Sequence, residues 1–210
     1  MSIYCARQTN RLADEQMDTI NERALEAIRQ SSDRVVVIGG RNWASYLGLV
    51  GSGGWPRIKG MAMLDDPHLM VKFHYYDPTE YTWGSSSVWP SADRDQYGGD
   101  SLGIDHMKRV FDKVAAWRDG LRRTHALPVF LNEFGVVTSQ AHNATSRASM
   151  LRWYAAVHKY ACTRHGFALA AWDTGVDFCL YGRDGRDSSA SDCALAPRQF
   201  DEGILAALGM

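Results

Sequence analysis

The chain has 210 residues, 45% hydrophobic and 22% charged, with a formal net charge of −1. That is the composition of one globular domain, residues 1–210, and it offers no electrostatic attraction for nucleic acid or an anionic membrane. No apolar run approaches the roughly 18 residues of a membrane span, and the first residues lack the basic and apolar regions of a signal peptide.

Taken in order, residues 3–6 are apolar enough for a short first strand. Residues 14–30 predict a helix: Met17, Ile20, Ala24, Ala27 and Ile28 recur at spacings of three and four, and Asp14 suits an N-cap. Residues 34–38 form a Val-rich strand closed by Gly39 and Gly40, and its tip is Arg41-Asn42-Trp43. Residues 69–74 predict the next strand, running into Tyr75-Tyr76-Asp77-Pro78, after which residues 79–100 read as a long aromatic and Ser-rich loop. Residues 102–124 predict a long helix with Met107, Val110, Phe111, Val114, Trp117 and Leu121 on one face.

The apolar run 129–131 has the character of a buried strand and ends in Asn132 and Glu133, with Gly135 as a turn. A carboxylate at such a tip is costly to desolvate unless it is paired or working. Taken alone, Glu133 could be the polar end of a strand satisfied by loop amides. Residues 145–164 predict another helix, residues 167–171 a strand ending in Trp172-Asp173, residues 181–192 a loop, and residues 199–208 a closing helix.

Strand and helix alternate with crossovers long enough for parallel pairing, so the expected class is α/β. Every strand runs into a polar or aromatic tip on its C-terminal side: Asn42-Trp43, His74-Tyr76, Asn132-Glu133 and Trp172-Asp173. In a parallel barrel that is the side on which active sites are built. Strand alternation turns Tyr75 away from the face that carries His74 and Tyr76. Cys5, Cys162, Cys179 and Cys193 form no CxxC pair, which argues against a zinc site or a disulfide framework. His68, His106, Asp65 and Asp66 show no metal-ligand spacing and read as surface groups; neither a metal nor another cofactor is expected.

Four blocks, 34–43 (RVVVIGGRNW), 73–78 (FHYYDP), 128–135 (PVFLNEFG) and 170–174 (AAWDT), resemble the glycoside hydrolase family 5 endoglucanases, or cellulases, in order and spacing. The resemblance covers roughly residues 12–208 and implies the last strands, about four to eight, of a (β/α)8 barrel, with the first three βα units lacking a counterpart. It implies that Glu133 is the nucleophile of a retaining endo-β-1,4-glucanase, with His74 and Tyr76 orienting it and Trp172 as a sugar platform. Asn42, Trp43 and Trp83 are further candidates for contact with a β-glucan polysaccharide or oligosaccharide; Trp83 and Trp89, in the long loop, could be outlying sugar subsites or equally oligomer contacts. The family is commonly secreted, although no leader is evident in these residues.

The family's general acid/base, in an Asn-Glu-Pro at the end of strand four, aligns with Ala6-Arg7-Gln8. Arginine cannot donate a proton at working pH. Glu15 and Glu22 are not convincing substitutes; both are expected to face solvent. Activity is therefore expected to be weak or to depend on assembly, and a partial barrel with uncovered sheet edges is expected to self-associate into a homo-oligomer. The alternatives are a non-catalytic carbohydrate-binding or degenerate cellulase-like protein, and an incomplete product that folds only by association.

Overall fold

Four parallel strands form the centre of the structure, a computed structural model: Val36–Gly39 (β1), Leu69–Tyr75 (β2), Val129–Phe134 (β3) and Ala168–Ala171 (β4). They lie side by side in chain order, so each connection is a crossover to the next neighbour. The helices are Asp14–Arg29 (α1), Leu47–Val50 (α2), Thr79–Thr82 (α3), Ile104–Asp119 (α4), Ala144–Val157 (α5) and Glu202–Ala207 (α6). A π-helical segment, His158–Thr163, prolongs α5. Tyr181–Gly182 (β5) and Gln199–Phe200 (β6) pair antiparallel in a separate ribbon. The described residues are 14–40, 43–50, 65–84, 89, 103–121, 124–137, 144–174, 178, 180–182 and 199–210.

Period-two alternation decides which face of β2 does what. Leu69, Val71, Phe73 and Tyr75 are buried against the helices, whereas Met70, Lys72 and His74 are half-buried on the opposite face. The helix-side layer is aromatic: Phe111 of α4 lies 4.9 Å from Tyr75, 6.1 Å from Phe73 and 6.4 Å from Phe167, centroid to centroid. Trp153 of α5 stacks at 6.1 Å on Tyr75. Met107, Val110 and Val114 add the aliphatic part, and the predicted stripe of α4 does face inward. Fully burying one such side chain stabilises by about 1.5–3 kcal/mol.

Several expectations change. The apolar positions of α1 do not make its buried face: Leu25 is buried, but Ile20 is 44% and Ile28 37% exposed, and Glu22 is half-buried rather than turned to solvent. The side chains of Asp14, Glu15 and Met17 lie outside the described set, as do residues 3–6. The loop read at 79–100 contains α3, and Trp89 within it is neither a sugar platform nor an oligomer contact. Its ring is buried, its backbone N–H donates to Ser149 Oγ at 2.7 Å, and Arg152 stacks on it. The closing helix begins only at Glu202, capped by Asp201, whose carboxylate accepts from Ile204 N at 3.1 Å and from Arg147. Before it, Gln199 and Phe200 are strand.

Because Phe111 touches three aromatic neighbours at once, Phe111→Ala is expected to cost about 3–5 kcal/mol. Urea unfolding measures this; a loss below about 1 kcal/mol would show the layer to be loosely packed.

Candidate active site

Strict alternation along β3 would point Glu133 away from the half-buried face. Val129 and Leu131 are buried toward the helices, so Phe130 and Asn132 take the opposite side and Glu133 should return to the helices. It does not, because the strand gains one residue there. Phe73 pairs with Leu131, yet the next residue, His74, pairs with Glu133, so that Asn132 is the extra residue of a β-bulge. The same irregularity separates the Leu131–Leu169 and Phe134–Ala171 pairs on the β4 side. A bulge re-aims the side chains beyond it. Here it brings Glu133 level with His74 on one face while Phe134 remains buried.

Two groups from β2 and its tip then meet the carboxylate. Tyr76 Oη donates to Glu133 Oε1 at 3.0 Å. His74 Nε2 stands 3.3 Å from Oε2, with both side chains largely shielded from solvent. The backbone carbonyl of Trp43 accepts a hydrogen bond from the same imidazole. Burial lowers the His74 pKa below the ordinary 6.5, assisted by the Lys72 charge and opposed by the Glu133 carboxylate and the Trp43 carbonyl.

The turn at Trp43 and Ala44 meets His74. Trp43 and Ala44 have φ of 58° and 53°, left-handed conformations that cost L-residues about 1–2 kcal/mol each. The turn they make brings the Ala44 carbonyl to the His74 amide at 2.7 Å and Ser45 into a parallel bridge with His74. Trp43 itself is left 65% exposed beside the site.

On the other side, Trp172 follows β4, donates its amide to Phe134 O at 2.8 Å, and is 38% exposed. Trp83 is 57% exposed and packs on Tyr76 at 5.5 Å and on Phe178 at 5.2 Å. Phe178 also meets the Tyr76 ring at 6.0 Å. Gly135 permits this closeness: a Cβ there would stand 2.9 Å from the Phe178 ring.

The structure thus brings Glu133, His74 and Tyr76 together and surrounds them with Trp43, Trp83 and Trp172 as exposed rings; Asn42, Ala6 and Arg7 lie outside the described residues. Tyr75 is buried, facing the helices as alternation required. The sequence reading missed Phe178, which no motif marks, and misjudged His106. Far from being a plain surface group, its Nε2 lies 2.9 Å from Asp77 Oδ2. Among the described residues no group of three or more His, Cys, Asp or Glu could hold a metal. No helix there is long and apolar enough to cross a membrane.

A carboxylate with a phenol donor, near exposed indoles, is a suitable arrangement for attack on an acetal carbon held by its sugar faces. The chain is also similar to known proteins. The family model described as cellulase (glycosyl hydrolase family 5) matches residues 5–177. Endoglucanase H of Acetivibrio thermocellus is 35% identical over 204 residues, which are 94% of this chain and 18% of that protein. A family 5 xyloglucanase from Paenibacillus pabuli superposes with a TM-score of 0.68 at 16% identity, over 93% of this chain and 55% of that one. Endoglucanase Cel5A from Thermotoga maritima gives 0.64 at 21% identity with the same coverages. These two speak to the fold alone, and the chain spans about half of their length. The chain belongs to the cellulases of glycosyl hydrolase family 5, and its four parallel strands are part of that family's (β/α)8 barrel.

Proposed function

We propose that the chain acts as a retaining endo-β-1,4-glucanase, with a β-glucan polysaccharide or oligosaccharide as substrate and Glu133 as nucleophile. The observation that carries this reading is the bulged strand that sets the Glu133 carboxylate against Tyr76 Oη and His74 Nε2. One oxygen of Glu133 attacks the anomeric carbon as the bond to the leaving oxygen breaks; water then displaces Glu133 from the same carbon. Tyr76 and His74 orient the carboxylate, while Trp172, Trp43, Trp83 and Asn42 contact the sugar faces and hydroxyls. The 35% identity to an endoglucanase supports glucan over other polysaccharides.

The leaving oxygen needs a proton in the first step, and water must lose one in the second. Arg7 aligns where the family keeps the group that does both, and a guanidinium can do neither. The residues of this chain then supply the nucleophilic half of the reaction, and full turnover depends on a donor brought by another subunit or segment. That same position is the observation favouring a second reading, a degenerate, non-catalytic carbohydrate-binding protein. Dinitrophenyl β-cellobioside, whose leaving group departs without a proton, separates the two. We expect turnover that Glu133→Gln abolishes, and hydrolysis of carboxymethyl-cellulose lower by about 10²–10⁴-fold than in a family member with its acid in place. Binding of glucan without turnover of either substrate supports the second reading.

Self-association follows from the surfaces left open. Among the described residues β1 and β4 each have one neighbouring strand, and Val35, Val37, Ile20 and Ile28 present 37–59% of their surface to solvent. Burying them in a homo-oligomer removes both an apolar patch and a free strand edge. Sedimentation at micromolar concentration is expected to show a dimer or larger species; a monomer overturns this.

The depressed pKa of His74 gives a pH dependence of defined sign. The unfolded chain takes up the histidine proton at higher pH than the folded one, so this contribution is complete above the ordinary 6.5 and is lost as pH falls through the lower folded value. Between about pH 7 and pH 5 the melting temperature of the wild type is expected to fall further than that of His74→Asn. Equal falls would mean that the imidazole is not desolvated.

A further inference from the structure

Tyr76 lies just beyond the end of β2, outside the ladder that fixes His74, so something else must hold its phenol against Glu133. The candidate is Thr82, on the last position of α3, and it is fully buried. Its Oγ1 donates to the Tyr76 carbonyl at 2.6 Å and also lies 3.3 Å from Pro78 O. Its own carbonyl accepts from the Val137 amide at 3.0 Å, on the segment that leaves Glu133. One residue therefore ties the backbone of Tyr76 to the backbone beyond Glu133, spanning the two groups whose separation matters. The next residue is held from the opposite side: Trp153 Nε1 donates to Asp77 O at 3.2 Å, and the Asp77 carboxylate meets His106.

A buried hydroxyl donating to a carbonyl inside a helical turn can be no more than local satisfaction of that turn. The shorter bond here, however, leaves the helix for Tyr76, and the Val137 bond is made by the same residue. Both point to the gap between the phenol and the carboxylate.

We propose that Thr82 is a positioning residue, its hydroxyl setting the Tyr76–Glu133 hydrogen bond through the Tyr76 carbonyl. The consequence for rate rests on the reading of Glu133 as nucleophile; the geometric claim does not. A displacement of the order of 1 Å at a reacting pair costs up to about 10²-fold, so loss of the hydroxyl should be visible in the covalent step.

Thr82→Val keeps the shape and removes the hydroxyl, and Thr82→Ser keeps the hydroxyl. The three proteins are compared in two measurements. The first is the rate of labelling by 2,4-dinitrophenyl 2-deoxy-2-fluoro-β-cellobioside, followed by intact mass and peptide mapping to Glu133. The expected result is labelling about tenfold or more slower in Thr82→Val, at unchanged affinity for the reagent, and near-normal labelling in Thr82→Ser. The second is a crystal structure of each: the Tyr76 Oη–Glu133 Oε1 distance should open beyond hydrogen-bonding range in Thr82→Val alone.

Labelling of Thr82→Val at the wild-type rate overturns the inference, as does equal slowing of both variants. If the wild type is not labelled at all, the nucleophile reading fails, and the crystal distances decide: an unchanged distance in Thr82→Val overturns the positioning role and an opened one supports it.

Discussion

The site depends on one extra residue in β3. A strand has a fixed two-residue period, so the side chain that follows Asn132 should go to the helix layer with Leu131. The bulge breaks that period once, between the pairs Phe73–Leu131 and His74–Glu133. Its effect is local: Phe134 is buried again at the next position, so the core loses no apolar side chain to the irregularity. A carboxylate is placed on the open face of the sheet while the strand that carries it remains anchored by Val129, Leu131 and Phe134. The missing ladder contacts are the cost, and they are confined to the C-terminal end of the strand.

Around that point the molecule is built in two layers of different character. The helix side is a dense aromatic layer in which Phe73, Tyr75, Phe111, Trp153 and Phe167 are all nearly solvent-free. The other side is half-open: Met70, Lys72 and His74 of β2 and Phe130 of β3 are only partly covered. Rigidity comes from the first layer and accessibility from the second, and the strands transmit one to the other because alternate residues belong to each. The tips are fixed separately, by the left-handed pair Trp43-Ala44 against His74 and by the contacts of Asp77 and Thr82 beside Tyr76.

Helix α1 is also incompletely covered. Its apolar residues are spaced as in any amphipathic helix, yet Ile20 and Ile28 are exposed. A periodic stripe declares only that a helix has a face to bury. It does not say against what, and within the described residues that face has too little to meet. Val35 and Val37 of the β1 segment are exposed as well, so incomplete cover is not confined to a single helix.

By itself the sequence determined the order of the main strands and helices and the class. Apolar periodicity located α1, α4 and α5, and Val-rich or apolar runs located β1 to β4, because burial preferences repeat with the geometry of each element. It also placed Glu133, His74, Tyr76 and Trp172 at strand ends on one side of a parallel sheet, since polar and aromatic tips after apolar runs are a local pattern. What it could not contain was anything set by contact between distant segments. The bulge that turns Glu133 is defined only by its partner strand, and the burial of Trp89 by Ser149 and Arg152 of α5. The pairing of His106 with Asp77 and the grip of Thr82 on Tyr76 likewise join residues whose types are unremarkable where they stand in the chain. Local sequence states which groups want burial or a partner; only the packed structure states which partner each one receives.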